Sequence, residues 1–261
     1  MKNKKLIIIF CVFVAVVLVV ILSSTIFTFR SAEVYFVDDG NNLIEPSEDD
    51  TGVVDAKNCF SDLFGNNIFL LSKDKITQNF EKANLKVKVK YIEKVFPDKV
   101  KIFAQVRVPL YYIESEGNVY VCSYDGFVME KNPASLPPLV ELSGELGEIS
   151  APEVGSYVSS CFANIENYNI IQKLFETIYN YEGFDYQSIP ALIKNVDFQS
   201  GKIVCYIHDG ARFEISGPSI DLDKKFSAVY GLYLDKKDSV PNGIYRNNIK
   251  DANGNYTASV Q

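Results

Sequence analysis

The feature that most constrains this chain is an apolar run at Leu6–Phe27, in which no residue from Leu6 to Leu22 is polar. As a helix rising about 1.5 Å per residue, the run would reach roughly 33 Å, which matches a bilayer hydrocarbon core of about 30 Å. A cleaved signal peptide has an apolar region of only about 7–15 residues and a small-x-small cleavage site, which Leu22–Thr25 matches poorly. The sequence therefore predicts a single N-terminal transmembrane helix at residues 6–28 that is not cleaved.

The charges that flank the run predict its orientation. Three lysines lie within residues 1–5, whereas Arg30 is the one basic residue that follows closely. Because the more basic flank of a membrane helix stays in the cytoplasm, we expect residues 1–5 to form a cytoplasmic head. The predicted location is the plasma membrane, with a single pass and the bulk of the chain outside the cytoplasm.

The outer part of the chain is acidic, with 23 basic and 33 acidic residues and hence a net charge of −10. This balance argues against nucleic acid as a partner and against a polybasic membrane-surface role. Roughly 230 residues remain outside the membrane, enough for one large domain or two small ones. Proteins are the partners that this composition favours.

Residues 30–108 show the pattern of a small α/β domain, in which two helices pack on a three-stranded sheet. In its second strand Val87, Val89 and Tyr91 alternate with lysines, so these three side chains are predicted to share one face of the sheet. Ser72 is a good N-cap for the second helix. The predicted order is strand, helix, helix, strand, strand, at residues 31–37, 53–64, 72–83, 86–92 and 99–107.

Residues 109–246 are predicted to form a mixed β-sheet domain with two helices, which makes the chain α+β as a class. A tail at residues 247–261 follows, and it is predicted to hold a possible terminal strand. The two helices show apolar side chains at i, i+3, i+4 and i+7. The strands are predicted at 110–114, 118–122, 193–198, 202–207, 211–215, 243–246 and 256–260, and the helices at 160–181 and 221–234. A further, short strand at 139–142 is predicted at an edge of the sheet.

The sequence shows little that points to catalysis. Its one histidine, His208, adjoins a predicted Asp209-Gly210 hairpin turn, and Cys205 would lie on the opposite face of the strand. The cysteines are dispersed without metal-ligand spacing, and the carboxylates of Glu114 and Glu116 fall in a predicted turn. We therefore predict no catalytic residue, no metal, no cofactor and no small-molecule substrate.

The terminal strands end a predicted sheet, and the unpaired N–H and C=O groups of such an edge can accept a partner strand. Several tyrosines lie close to this edge in sequence. They could instead fill the core or cover the edge, and that alternative stays open. The predicted partner-binding residues are Tyr230, Tyr233, Ile244, Tyr245, Arg246 and Tyr256.

Several short motifs follow one another along the chain: Gly65-Asn66-Asn67-Ile68-Phe69, Pro97-Asp98-Lys99-Val100-Lys101-Ile102, Arg107-Val108-Pro109, Asp125-Gly126-Phe127-Val128, and Ile215-Ser216-Gly217 with Lys225-Phe226. This ordered set resembles the FtsQ/DivIB family of bacterial cell-division proteins. The first two motifs are similar to the family's Gly-x-Asn-Leu/Ile-Phe start and to its Pro-Asp/Asn-x-Leu/Val-x-Ile strand. The third resembles the exit from its POTRA domain, the fourth a later turn, and the last its Gly … Lys-Leu passage into the final helix. Val106 stands where the family usually has Glu, and the tail after Ile244 lacks the family's Asp-Leu-Arg-like end.

The resemblance implies a POTRA-like βααββ domain followed by a β-domain, and a non-enzymatic scaffold enriched at the division septum. It also implies binding to coiled-coil division membrane proteins of the FtsB/DivIC and FtsL type, partly by strand addition at the C-terminal strand. The POTRA domain would assist recruitment and link the protein to septal peptidoglycan synthesis. Two alternatives stay open: a membrane-anchored extracellular cell-wall enzyme, and another POTRA-bearing assembly factor for export or the spore envelope.

Overall fold

The computed structural model describes residues 2–47, 51–52, 58–181, 184–248, 250–251 and 254–261. The side chains of residues 2–8 and 20–24 are outside this description. The chain divides into two compact units, Met1–Arg107 and Val108–Gln261, and the fold of each is described separately. Both units combine helices with mixed sheets, which confirms the α+β class.

The N-terminal run forms one helix, α1, at Lys2–Ile26. Its described side chains from Ile9 to Val19 are all exposed. Within the part of the chain that the structure describes, no helix was found to combine the length and the apolar character needed to cross a membrane. The anchor at residues 6–28 is therefore not confirmed and stays a prediction.

The rest of the first unit is a four-stranded sheet with a helix packed on one face. The strand order is β2-β1-β4-β3, with β1 parallel to β4 and the other neighbours antiparallel. Ile76 and Phe80 on the buried face of α2 pack against Val100 and Ile102 in the core. The elements are β1 at Ser31–Val37, β2 at Leu43–Ile44, α2 at Lys73–Ala83, β3 at Val87–Val95 and β4 at Lys99–Val106.

Helix α2 begins where its cap was predicted, since Ser72 Oγ accepts a hydrogen bond from the Lys75 N–H at 3.4 Å. The other helix predicted for this unit, at residues 53–64, falls partly on residues 53–57, which lie outside the described residues. Its described remainder is a single 3₁₀ turn at Asn58–Phe60, which buries Phe60. The short β2 was not predicted.

The alternation predicted for β3 is wrong beyond Val89. A β-bulge lies between Val89 and Tyr91, and an extra residue in a strand reverses which face the following side chains take. Ile92 is consequently buried at 4% exposure, whereas Tyr91 is 37% exposed. Tyr91 stacks on Phe103 of β4 on the outer face, with ring centroids 4.4 Å apart.

A buried ion pair ties α2 to the end of this sheet. Arg107 Nη2 donates to Glu81 Oε2 at 2.9 Å, and both side chains are almost completely buried. Glu81 Oε1 also accepts a hydrogen bond from the Val89 N–H at 2.7 Å. The Arg107 of the motif therefore has a structural role, because it holds the helix and β3 together inside the unit.

The second unit is built on one nine-stranded sheet, in the order β13-β12-β11-β10-β9-β8-β5-β6-β7. Two helices, α3 and α5, pack on its buried face and on each other. The strands are β5 at Pro109–Ser115, β6 at Asn118–Ser123, β7 at Val128–Lys131, β8 at Val140–Gly144, β9 at Ile193–Gln199, β10 at Lys202–Ile207, β11 at Arg212–Ser216, β12 at Ile244–Asn247 and β13 at Ala258–Val260. The helices are α3 at Ile165–Tyr179, α4 at Ile189–Leu192 and α5 at Leu222–Lys236.

Details of this unit differ from the sequence prediction. The strand expected at an edge, at residues 139–142, is the interior strand β8, which lies between β9 and β5. A third helix, the one-turn α4, precedes β9, and a single turn is too short to produce a helical period in the sequence. The tail at residues 247–261 is not separate from the domain, because β12 runs to Asn247 and β13 pairs with it. The predicted terminal strand at 256–260 is thus the shorter β13.

The Glu81–Arg107 pair gives a prediction about stability. Glu81→Ala should lower the free energy of unfolding of the first unit by about 3–5 kcal/mol, because the Arg107 charge stays buried without its carboxylate. Replacing both residues, as Glu81→Leu with Arg107→Met, should recover most of this loss. Urea denaturation followed by circular dichroism measures both effects.

Lys75→Ala is the control, since the Lys75–Asp62 pair is exposed at 59% and 57%. That substitution should change the free energy of unfolding by less than about 1 kcal/mol. An equally small effect of Glu81→Ala would show that the buried pair does not hold α2 in place.

Candidate partner-binding surface

The edge of the nine-stranded sheet is the region that the sequence singled out. Strand β12 pairs with β11 on one side, where Phe213 lies opposite Tyr245. On its other side it pairs antiparallel with β13, where Val260 lies opposite Tyr245. Beyond β13 the sheet ends, so the outermost backbone here belongs to the last residues of the chain.

Three of the predicted partner-binding residues lie in the core. Tyr230, Tyr233 and Tyr245 are 7%, 6% and 0% exposed. Their rings surround Phe213 of β11, with centroids 6.2, 5.2 and 6.1 Å from its own. The structure thus brings the three together beneath the edge as its packed support, and they do not face solvent.

The hydroxyl of Tyr233 shows how closely this cluster is fixed. It donates to Oδ2 of Asp209 at 2.7 Å, and Asp209 lies in the turn of the hairpin that joins β10 and β11. Burial, followed by this hydrogen bond to a carboxylate, raises the pKa of Tyr233 well above its ordinary value. The tyrosine therefore stays neutral and serves to fix α5 to the sheet.

Ile244 and Arg246 project from β12 on the outer face of the sheet and are partly exposed. Arg246 Nε donates to Glu214 Oε2 at 2.7 Å, and its Nη1 donates to Gln261 Oε1 at 2.7 Å. The hydrogen bond from Arg246 lowers the pKa of the Glu214 carboxyl, and the nearby Lys202 lowers it further. Arg246 thereby connects the last residue of the chain to two inner strands.

Tyr256 lies between two ammonium groups at the start of α5. The Nζ atoms of Lys225 and Lys250 are each 5.2 Å from its ring centroid, within the range of cation–π attraction. Its hydroxyl is 3.3 Å from Asp221 Oδ2, which also accepts from Lys250 Nζ at 2.6 Å. We call Asp221, Lys225, Lys250 and Tyr256 the Tyr256 clamp.

The Tyr256 clamp depends on an unusual backbone conformation. Asp221 occupies the N-cap position of α5 with a φ of 50°, in the left-handed region, and its side chain does not cap the helix. Its carboxylate is thereby directed to Lys250 and Tyr256. The hydrogen bond from Lys250 lowers the pKa of Asp221 and outweighs the opposing effect of desolvation.

Sequence reasoning identified Tyr256 but missed the other three members of the clamp. Lys225 is 6% exposed, and its Nζ donates to the Gly217 carbonyl at 2.6 Å. The resemblance includes Gly217 and Lys225 in one motif, but no local pattern marks this lysine as buried or places it beside Tyr256. The alternation of Tyr256, Ala258 and Val260 did predict the strand, although not the strand that it pairs with.

The residues considered for catalysis have structural surroundings. His208 lies in the turn of the β10–β11 hairpin, and its Nε2 is 2.9 Å from the carbonyl oxygen of Pro190 in α4. Cys205 is fully buried, and burial raises the pKa of its thiol to about 12. Over the described residues, no group of three or more His, Cys, Asp or Glu side chains is arranged to hold a metal ion.

Comparison with known proteins gives little further information. No family model matches the chain, and no curated protein matches it. The solved structures that are similar to part of it include the major extracytoplasmic domain of the trans isomer of the bacterial cell division protein DivIB from Geobacillus stearothermophilus. The likeness covers 51% of this chain and 97% of that one, at 10% identity and a TM-score of 0.29. A TM-score this low supports no inference about fold or function.

The depressed pKa of Asp221 gives a prediction about pH. A carboxyl whose pKa is lowered by folding stabilises the folded form above its ordinary pKa of about 3.9, and this stabilisation is lost as the pH falls through the lower folded value. Acidification should therefore release Tyr256 and open β13. The ¹H–¹⁵N chemical shift of the Ser259 amide, followed from pH 7 downward, reports this opening, because Ser259 lies within β13 opposite Arg246.

Asp221→Asn is the matched control, since it keeps the shape of the side chain but removes its charge. In this variant β13 should already be partly open at neutral pH, and the acid transition assigned to Asp221 should disappear. If the Ser259 amide titrates identically in both proteins, Asp221 does not hold the tail.

Proposed function

We propose that this chain is a non-enzymatic, bitopic membrane scaffold of the bacterial division machinery. Its outer part binds other division proteins and links them to septal peptidoglycan synthesis. The partners proposed are coiled-coil division membrane proteins of the FtsB/DivIC and FtsL type. The protein is placed in the plasma membrane, enriched at the division septum.

The observation that carries the binding role is the terminal edge of the nine-stranded sheet. Strand β12 is rigidly supported, because Tyr245 is fully buried and packs on Phe213 and Tyr233. The outward N–H and C=O of Ile244 take part in bonds to Gln261, the last residue of the chain. A supported strand whose outer backbone pairs with a strand of three residues is suited to adding a partner strand in its place.

The class of partner comes from the resemblance, whose motif residues have defined positions in the structure. Gly65 adopts a φ of 88° and Gly126 a φ of 80°, values that favour glycine. A Cβ on Gly126 would lie 2.4 Å from the Tyr168 hydroxyl, so this turn also needs glycine for close packing. Glycine at these two motif positions therefore has a structural reason, which supports the resemblance.

The POTRA-like assignment of the first unit rests on its element order and pairing. Strand β1 and the short β2 are followed by α2 and then by the β3–β4 hairpin, with β4 placed between β1 and β3. Of the two helices that the βααββ order requires, α2 is the one that the described residues contain. The proposal for a membrane anchor rests on the sequence of residues 6–28. The exposed apolar side chains of α1 between Ile9 and Val19 are consistent with it.

A first test uses the tagged full-length chain in its native host. We expect enrichment at midcell and co-purification of a small coiled-coil membrane protein. Uniform distribution around the envelope without such a partner would count against a division role.

A second test addresses the β12 edge. The test uses a chain that lacks residues 254–261, so that the chain's own β13 does not compete with the partner. In this chain Ile244→Pro removes the outward N–H that otherwise bonds to Gln261. One backbone hydrogen bond contributes about 0.5–1.5 kcal/mol, so partner capture should fall by roughly three- to tenfold. Quantitative co-purification from membranes measures this loss.

Ile244→Val is the matched control, because it keeps the N–H and a β-branched side chain. A charged substitution such as Tyr245→Lys is unsuitable for this test. Tyr245 is fully buried, and a charge at that position would disrupt the domain itself. Unchanged capture by Ile244→Pro would show that partners bind elsewhere.

The rival hypothesis of a cell-wall enzyme has its own test. Changing His208, Glu114 and Glu116 together to Ala should leave growth and division normal if the chain acts by binding. A strong division defect in a stably folded triple variant would favour catalysis.

A further inference from the structure

We propose that the β12 edge is an exchangeable strand-acceptor site, which the chain's own Tyr256–Gln261 segment occupies until an extended partner segment of similar pattern replaces it. This inference rests on the proposed binding function and specifies the partner sequence and the regulation of the same site. The segment Tyr256–Gln261 is called the tail strand below.

The first argument is the position of the tail strand in the sheet. Its regular part, β13, has three residues and pairs with a neighbour on one side only. Because β13 pairs only with β12 among the described residues, it can separate from the sheet without breaking any other strand pairing. Short terminal elements that contact few others are among the first to open locally.

The second argument is that the bonds to the tail strand are reproducible by any extended backbone. The Ile244 N–H donates to the Gln261 carbonyl at 2.9 Å, and the Gln261 N–H donates back to Ile244 at 3.1 Å. The Asn248 N–H donates to the Thr257 carbonyl at 2.8 Å. An antiparallel partner strand in the same register would satisfy the same donors and acceptors.

The third argument is that side-chain sites on the domain specify a pattern. Val260 packs over Gly243, where an added Cβ would lie 2.9 Å from its Cγ2 atom. Ala258 and Val260 both pack against the main core, whereas Ser259 between them is exposed. The acceptor site therefore favours a small residue and then an aliphatic one, two positions apart.

The Tyr256 clamp adds a third requirement. An aromatic ring is held between Lys225 and Lys250, two positions before Ala258. A partner strand that uses every site would read aromatic, any, small, any, aliphatic. The chain's own Tyr256-Thr257-Ala258-Ser259-Val260 has this pattern.

Occupation in cis has a quantitative consequence. A segment tethered by a short connection competes at an effective concentration in the millimolar range. The apparent affinity for an external strand equals the intrinsic affinity multiplied by the fraction of molecules whose site is open. We expect an external strand to bind the intact chain about tenfold or more weakly than a chain without the tail strand.

The test uses a fluorescent peptide with the sequence of residues 254–261 as the probe. Fluorescence anisotropy should show saturable binding to the full chain lacking residues 254–261, and about tenfold or more weaker binding to the intact chain. A peptide carrying Val260→Lys is the matched control and should not bind. Equal affinity for both chains, or no binding to a folded truncated chain, would overturn the proposal.

A second variant keeps every residue position and closes the site covalently. Asn247 and Ala258 lie opposite each other on β12 and β13 and form a non-hydrogen-bonded pair. The Cα atoms of antiparallel strands come closest at such pairs. Asn247→Cys with Ala258→Cys, made in a background with Cys11, Cys59 and Cys161 changed to Ser, should form a disulfide across the two strands.

The oxidised double variant should bind the peptide at least tenfold more weakly than the same protein after reduction. The single Ala258→Cys variant should show no such redox dependence. If the oxidised and reduced forms bind alike, the tail strand does not control the site.

The two proposals fail in distinguishable ways. Peptide exchange needs no division protein, so exchange without midcell placement or a co-purified partner would overturn the division role alone. Equal capture of an envelope partner by the oxidised and reduced forms would overturn the exchange at this site and leave the division role standing.

Discussion

Sheet edges are the constraint on which much of this structure depends, because each edge strand leaves backbone N–H and C=O groups without a neighbour. In the first unit, the long edge strand β3 carries a bulge after Val89 and a row of lysines. Lys90 donates from its Nζ to the carbonyls of Asp38 and Asp39, both at 2.9 Å. Bulges and lysines both discourage the addition of a further strand.

The second unit treats its terminal edge differently. Strand β12 has neither a bulge nor lysines, and its outer backbone is covered by the last residues of the chain. The cover is fastened on three sides: by Val260 over Gly243, by Gln261 on Arg246 and by Tyr256 in its clamp. An edge that is closed in this reversible way is suited to regulated binding, which β3 is not.

Beneath that edge, aromatic packing provides the rigidity that strand addition requires. The chain has no tryptophan, and tyrosines take the large positions around Phe213. A strand that is already held in its paired conformation loses little conformational entropy when a partner arrives. The buried tyrosines thus fix β12, which is the role that the proposed binding function gives them.

The sequence by itself determined the α+β class, most strands and helices of both units, and the position of a sheet edge near residues 243–260. These features follow from local periodicity, from a cap such as Ser72 and from turn glycines, all of which act over a few residues. Only the tertiary structure decided that Tyr91 faces outward, because one bulged residue reverses the phase of a strand.

The tertiary structure also decided that Tyr230, Tyr233 and Tyr245 are buried while Tyr256 lies in a clamp. All four are tyrosines, so the residue type alone does not predict this difference. Lys225 and Asp221 approach Tyr256 from another element, and the Asp221 contact spans 35 positions of sequence. Contacts between such distant residues depend on how the sheet and α5 pack together, and no local pattern encodes that packing. For the same reason, the sequence indicated an edge strand, but only the fold revealed that the chain closes this edge itself.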